Sequence, residues 1–246
     1  MSSPSEVRAD IDKVPAAALP ATTPPPRPPT WALKVVMAVT GTVFVAFVVF
    51  HMAGNLKVYI GADDFDHYAA WLRTLLNPLL PGSTFLWLFR AVLAACLVAH
   101  VYSGITIWFR ARRARGAHGR KLIGRRVSSR SMIWTGAILF CFIAFHIMDL
   151  TLGAEPAAAD GFVHGSAYAN LIGSFTRPGV AFFYALAMAL LAFHLSHGVW
   201  SLINDFGGTS KRLRAVWFIA AGVVGIIVAL GNLSIPIAVQ AGLLTL

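Results

Sequence analysis

Five long apolar stretches restrict the fold of this chain more than any other feature of its sequence. Each has at least 21 residues, and a helix of that length, rising about 1.5 Å per residue, can cross a hydrocarbon core about 30 Å thick. The stretches cover residues 31–56, 85–110, 132–152, 180–204 and 215–239. Of the 246 residues, 57% are hydrophobic and 12% are charged, which is more apolar surface than a soluble domain can use. The sequence therefore predicts an all-α integral membrane protein with five transmembrane helices.

Residues 1–30 differ in composition from the rest of the chain. They hold eight of the thirteen prolines, with no apolar block behind a basic start as in a signal peptide. We expect a disordered cytoplasmic tail here, followed by one transmembrane domain over residues 31–246. The two cysteines, Cys96 and Cys141, lie inside apolar stretches, so a disulfide framework is excluded.

Basic residues are concentrated between the second and third apolar stretches. Nine of them lie from Arg110 to Arg130, with no acidic residue among them. The positive-inside rule places this connection in the cytoplasm. The chain is therefore predicted to lie in the cytoplasmic membrane, with its N-terminus on the cytoplasmic side and its C-terminus on the outer side. The formal net charge of +10 therefore reflects orientation in a lipid membrane, and no nucleic-acid partner is expected.

Five of the eight histidines lie within apolar stretches, where an ionisable side chain is costly and needs a partner. These five are His51, His100, His146, His194 and His197. The other three lie in polar connections and are expected to be solvated; they are His67, His118 and His164.

Four of the histidines fall at two depths in the membrane. His51 and His146 lie 17 and 16 residues from the cytoplasmic boundary of their stretches, which is about 25 Å at helical rise. His100 and His194 lie 10 and 11 residues from it, or about 15 Å. The boundaries are the charged residues Lys34, Arg110, Arg130 and Asp205. Two imidazoles at one depth on facing helices can supply both axial ligands of a haem iron.

A glycine follows three of these histidines by about one helical turn. The glycines are Gly54, Gly104 and Gly198. Because a porphyrin must lie close to the backbone, we expect these positions to make room for it.

The residues around the four histidines carry a family resemblance. The strings are Phe50-His51-Met52-Ala53-Gly54-Asn55-Leu56, Ala99-His100-Val101-Tyr102-Ser103-Gly104, Phe145-His146-Ile147-Met148 and Phe193-His194-Leu195-Ser196-His197-Gly198-Val199-Trp200-Ser201-Leu202. They resemble the membrane cytochrome b subunit of succinate dehydrogenases and fumarate reductases, in its single-chain, five-helix, two-haem form. The resemblance covers residues 31–240, and the fourth string is its most specific part.

The resemblance implies a cofactor and its ligands. Four of the five helices would form a haem-binding bundle with two b haems. The inner haem, nearer the cytoplasm, would be held by His100 and His194, and the outer haem by His51 and His146. His197 is an extra histidine, expected beside a ligand or on the quinone side.

The resemblance also implies a role in respiratory complex II. A flavoprotein subunit and an iron–sulfur subunit of succinate dehydrogenase would dock on the cytoplasmic face, and this chain would anchor them and pass their electrons to a membrane quinone. It would be part of an oxidoreductase without being a dehydrogenase itself. Arg90, Asp149 and Arg177 are only weak indications of the quinone site, because interfacial charges are common at such depths.

Three alternatives remain open at this point. Cys96 and Cys141 lie near the depth of His100 and His194, and the four together could hold a Rieske-type 2Fe–2S cluster in place of the inner haem. The chain could also be the haem subunit of another respiratory dehydrogenase. A proton-coupled transporter with buried histidines is the third, although Asp149 is the only acid within the spans.

Overall fold

The computed structural model of the chain describes residues 27–114, 123–205 and 210–246, and these residues form helices and connections with no strand among them. The seven α-helices are α1 (Thr30–Asn55), α2 (Ala62–Arg73), α3 (Thr84–Ala114), α4 (Ile123–Ile147), α5 (Ala167–Phe175), α6 (Pro178–Asp205) and α7 (Lys211–Gln240). The expected tail over residues 1–26 and the part of the basic connection over residues 115–122 lie outside the described residues.

Five helical segments are long and apolar enough to cross a membrane. They are Thr30–Tyr59, Thr84–Ala114, Ser131–Leu152, Pro178–Leu202 and Lys211–Gln240. Each contains or nearly coincides with one predicted stretch, so the predicted fold class is confirmed. The four helices that carry histidines are α1, α3, α4 and α6, and they pack mainly as two pairs, α1 with α3 and α4 with α6.

The long connections at one end of the bundle contain two helices that the sequence analysis treated as loop. In α2, Asp63 and Asp64 occupy the first turn, where their negative charge interacts favourably with the helix dipole. Phe65 of the same turn is buried. The backbone N–H of Tyr168 in α5 donates to Asp66 Oδ1 at 2.8 Å. The two helices are thereby joined across this end, which we call the capped end.

The opposite end carries the positive charge. Arg112 and Arg113 lie in the last turn of α3, and α7 begins at Lys211. The guanidinium of Arg110 donates to Thr30 Oγ1 at 3.0 Å, which joins the end of α3 to the start of α1. We call this the basic end.

The fifth spanning helix, α7, packs along α6. A Cβ placed on Gly225 would collide with the Ser196 hydroxyl and with the carbonyl of Ala192, so the absence of a side chain lets the two helices approach closely. Near the capped end, α7 also meets α1, since Gly231 lies against the Met52 side chain. A larger side chain at Gly225 would meet the backbone of α6 and force the two helices apart, whereas at Gly231 it would displace the flexible Met52 side chain.

The apolar core is concentrated toward the capped end. Its buried side chains come from the short helices and from α4, α6 and α7, and include Val58, Phe65, Phe142, Leu171, Ile172, Phe175, Tyr184, Met188, Ile235 and Val239. Helix α3 contributes little to it, because Ser103 is its one buried residue. The side chains of α3 are therefore more exposed than those of α6.

Candidate cofactor site

At the basic end, two histidines are hydrogen-bonded to threonines of neighbouring helices. His100 of α3 has its Nδ1 atom 2.9 Å from Thr40 Oγ1 of α1. His194 of α6 has its Nδ1 atom 3.0 Å from Thr135 Oγ1 of α4. Both threonines are buried. The two helix pairs therefore hold their histidines in the same way.

A glycine follows each of these threonines and lies against the same imidazole. A Cβ on Gly41 would lie 3.6 Å from His100 Cε1, and a Cβ on Gly136 would lie 3.4 Å from His194 Cε1. At these distances an added Cβ would make an ordinary van der Waals contact with the ring, so each glycine backbone lies directly beside an imidazole. His194 is also near enough to His100 to interact with it electrostatically.

The glycines singled out in the sequence have other surroundings. A Cβ on Gly54 would collide with the Tyr68 ring of α2, so this glycine makes room for a protein side chain and the expectation for it was wrong. A Cβ on Gly104 would lie 4.0 Å from Met37 Cε, and one on Gly198 would meet nothing within 4 Å. The glycines that lie beside the imidazoles are Gly41 and Gly136.

Toward the capped end, His51 of α1 and His146 of α4 face one another. Their ring centroids are 5.8 Å apart and the ring planes are nearly perpendicular, at 81°. Phe47 stacks on His51 at 5.2 Å, and Phe142 stacks on His146 at 5.8 Å. Because a transition metal keeps about 2 Å from an imidazole nitrogen, one ion between two imidazoles separates their centroids by about 6 Å. The pair fits one metal ion held by two neutral nitrogen ligands.

His146 is linked to a buried ion pair. The Tyr184 hydroxyl donates to Asp149 Oδ2 at 2.8 Å, and its oxygen lies 3.3 Å from His146 Nδ1. The Arg177 guanidinium donates to Asp149 Oδ1 at 2.8 Å, and Ser174 donates its hydroxyl proton to the other carboxylate oxygen. The side chain of Asp149 is 0% exposed and that of Arg177 is 32% exposed.

In this arrangement Asp149 and Arg177, which the sequence offered only as weak indications of a quinone site, are ion-pair partners of each other. Asp149 is in the π-helical turn Met148–Leu152 that follows α4, and such turns displace side chains from the regular helical positions. The carboxylate accepts three hydrogen bonds, so its burial is compensated. Arg177 also donates to the carbonyl of Ala157 at 2.8 Å. The pair is a structural link between α4, α5 and α6.

The other residues named from the sequence lie apart from this arrangement. Cys96 is partly buried and Cys141 is exposed, and both are free thiols. Over the part of the chain that the structure describes, no group of three or more His, Cys, Asp or Glu side chains is placed to hold a metal ion. The geometry therefore lends no support to the four-residue cluster. Arg90 is exposed, with its guanidinium 4.9 Å from the Trp87 ring centroid.

The remaining histidines take different positions. His197 lies one turn beyond His194, with its ring 6.2 Å from that of Trp200, and it interacts electrostatically with His194. It is therefore a neighbour of the basic-end site. His67 and His164 are exposed, as expected for solvated residues, and His118 lies outside the described residues.

The sequence analysis missed Thr40, Thr135 and Tyr184, the oxygen partners of three histidines. A signal for the threonines was present. Thr40-Gly41 precedes His51 by nine intervening residues, and Thr135-Gly136 precedes His146 by the same nine. Tyr184 carried no comparable signal, because a tyrosine in an apolar stretch is an ordinary core residue.

Sequence similarity connects the chain with known membrane proteins. A family model described as the succinate dehydrogenase/fumarate reductase transmembrane subunit matches residues 125–231. The succinate dehydrogenase cytochrome b558 subunit of Bacillus subtilis (strain 168) is 26% identical over 188 residues, which cover 73% of this chain and 85% of that protein. No solved structure matches.

Proposed function

We propose, from the similarity of the chain to membrane subunits of succinate dehydrogenases and fumarate reductases, that it is the membrane anchor and electron-transfer subunit of a succinate:quinone oxidoreductase. In this role it holds two b haems, takes electrons from an iron–sulfur subunit and delivers them to a membrane quinone. The observation that carries the proposal is the facing pair of His51 and His146, with ring centroids 5.8 Å apart inside an apolar bundle.

The ligands proposed for the inner haem are His100 and His194, and those for the outer haem are His51 and His146. Haem iron, when bound, supplies a one-electron carrier. The protein's part is to hold two imidazoles at each depth and to orient them. Hydrogen bonds from Nδ1 to an oxygen acceptor do this for metal-bound histidines in general, and such contacts are present at His100, His194 and His146.

The basic end is the proposed docking face for the soluble subunits, a flavoprotein and an iron–sulfur protein. Charged and exposed side chains collect there, including those of Arg112, Arg113, Lys211, Arg212 and Arg214. Positive charge at helix ends marks the cytoplasmic side of a membrane protein. His100 and His194 are the histidines nearer to this end, so the electrons would enter through their haem and leave toward the quinone.

The test of this function is the haem content of the purified complex. We expect a b-type reduced-minus-oxidised absorption spectrum and two haems per chain, determined against the protein concentration. Replacing Cys96 and Cys141 together with serine is the control, and it should leave the spectrum and quinone reductase activity nearly unchanged. One haem per chain, with acid-labile sulfide that disappears in the double serine variant, would establish the iron–sulfur cluster in place of the inner haem.

Membrane orientation gives a second prediction. In the double serine variant, a cysteine introduced at Gly119 should react with a membrane-impermeant thiol reagent only after the cytoplasmic side is opened, because nine basic residues surround that position. A cysteine at Gly161, in the connection at the capped end, is the matched control and should be labelled in intact cells. The opposite pattern would invert the topology and move the docking face to the other end.

A further inference from the structure

The two halves of the bundle share a short repeat that ends in a proposed haem ligand. In α1, the pair Thr40-Gly41 is followed by nine residues and then by His51. In α4, the pair Thr135-Gly136 is followed by nine residues and then by His146. The threonine and glycine of each repeat do not contact the histidine of their own helix in the described contacts. They contact the histidine of the packed neighbour, His100 or His194.

The hydrogen bonds of each threonine determine which nitrogen of the histidine carries a proton. A threonine hydroxyl has one proton to donate. We infer that each proton is donated to the helix turn before it, because Thr40 Oγ1 is 2.7 Å from the Val36 carbonyl and Thr135 Oγ1 is 2.9 Å from the Ser131 carbonyl. Toward the histidine, the threonine oxygen can then only accept. Nδ1 of His100 and of His194 must therefore carry the proton, and Nε2 retains its lone pair.

The capped-end site repeats this logic with another acceptor. Tyr184 donates its proton to Asp149 at 2.8 Å, so its oxygen accepts from His146 Nδ1 at 3.3 Å. Three of the four proposed ligands thus present the same free nitrogen, although their acceptors come from different residue types. That agreement is what a set of metal-ligating imidazoles requires, because the bond at one nitrogen fixes the tautomer and the ring orientation at the other.

We propose that Thr40 and Thr135 are positioning residues for the inner haem, which lock His100 and His194 with Nδ1 protonated and Nε2 directed to the iron. This inference rests on the proposed function, since it takes both histidines as haem ligands. The threonines act through the histidines and touch no reacting atom. An acceptor at Nδ1 makes the imidazole a stronger donor and so favours ferric iron, and losing the acceptor raises the reduction potential of the inner haem.

The chain supplies a matched control for the hydroxyl group. Thr42 donates to the Ala38 carbonyl at 2.9 Å in the same helix as Thr40, and its described hydrogen bonds involve no histidine. Valine has nearly the shape of threonine and removes the hydroxyl, whereas serine keeps it. Each valine variant is compared with the serine variant at the same position, for Thr40, Thr135 and the control Thr42. The comparison distinguishes an effect of losing the hydroxyl acceptor from an effect of altered packing. Alanine variants at positions 40 and 135 repeat the test without the valine methyl group.

The experiment is a redox titration of the purified complex followed by haem absorption, with the rate of haem transfer to apomyoglobin as a second readout. For Thr40→Val and Thr135→Val we expect one of the two haem potentials to rise and the transfer rate of that haem to increase about tenfold or more. A tenfold change in the ratio of ferric to ferrous affinity corresponds to about 59 mV. The serine variants and Thr42→Val should keep both values.

Three results would overturn the inference. Potentials and transfer rates equal to those of Thr42→Val, in a variant with both haems present, would show that the hydroxyls do not position the ligands. Equal losses in the valine, alanine and serine variants would show that position 40 or 135 matters only for packing. A parent complex without two haems would remove the proposed function itself, and the inference with it.

Discussion

Replacing His194 with alanine is expected to reduce the haem content of the complex from two per chain to one and to abolish electron transfer to quinone. This imidazole is oriented by a hydrogen bond to Thr135 at 3.0 Å and lies against Gly136. Without it, the proposed inner haem would lose one of its two protein ligands. The measurement is the pyridine haemochrome content together with succinate:quinone reductase activity.

His197 is the matched control for this substitution. It lies three residues further along α6, so alanine there removes the same side chain from the same helix, about 4.5 Å nearer the basic end. We expect His197→Ala to retain both haems and to shift a haem potential or the affinity for quinone, since a neighbour of a ligand adjusts a site without forming it. If His197→Ala lost a haem and His194→Ala did not, the ligand on α6 would lie one turn nearer the basic end.

The five spans could be predicted from the sequence because length and apolarity are local properties. A stretch long enough to cross the hydrocarbon core must be helical, since its backbone groups have no other partners there. The depths of His51 and His146 followed for the same reason, as helical rise converts residue number into distance. The proximity of their rings in the structure is consistent with equal depths.

The oxygen partners of the histidines could not be predicted in the same way. Thr40 and His100 are 60 residues apart, and Thr135 and His194 are 59 apart, so each contact depends on which helices pack together and in which rotation. The burial of Asp149 could not be predicted for a related reason. Its burial results from an ion pair with Arg177, 28 residues later, and nothing local in the sequence pairs them.

Asp149 is the residue for which we expect the largest effect on stability. Its side chain is 0% exposed and accepts hydrogen bonds from Ser174, Arg177 and Tyr184. Asp149→Asn keeps the shape but removes the charge, leaving the guanidinium without its counter-ion. Removing one partner of a buried pair costs about 3–5 kcal/mol. Because Arg177 is 32% exposed and keeps the Ala157 carbonyl as acceptor, we expect the lower limit, about 3 kcal/mol.

The measurement is the midpoint of thermal unfolding of the purified complex in detergent. A loss of about 3 kcal/mol lowers the midpoint by roughly 6–12 °C for a chain of this size. Asp160→Asn is the matched control, since Asp160 is an exposed acid in the same connection, and exposed charges contribute about 0–1 kcal/mol. Equal midpoints for the two variants would mean that the cost of burying the ion pair cancels its attraction.

Tyr184→Phe distinguishes the contribution of the ion pair to stability from its effect on the proposed haem ligand His146. The variant keeps Asp149 with Arg177 and Ser174 but removes the oxygen 3.3 Å from His146 Nδ1. One lost hydrogen bond to a charged group costs about 1.5–3 kcal/mol, so the midpoint should fall less than in Asp149→Asn. The outer haem potential should rise in both variants. In Tyr184→Phe, His146 loses its acceptor, and in Asp149→Asn the acceptor oxygen of Tyr184 loses the carboxylate charge beside it. A potential that rises only in Asp149→Asn would mean that the carboxylate acts on the haem through its charge rather than through Tyr184.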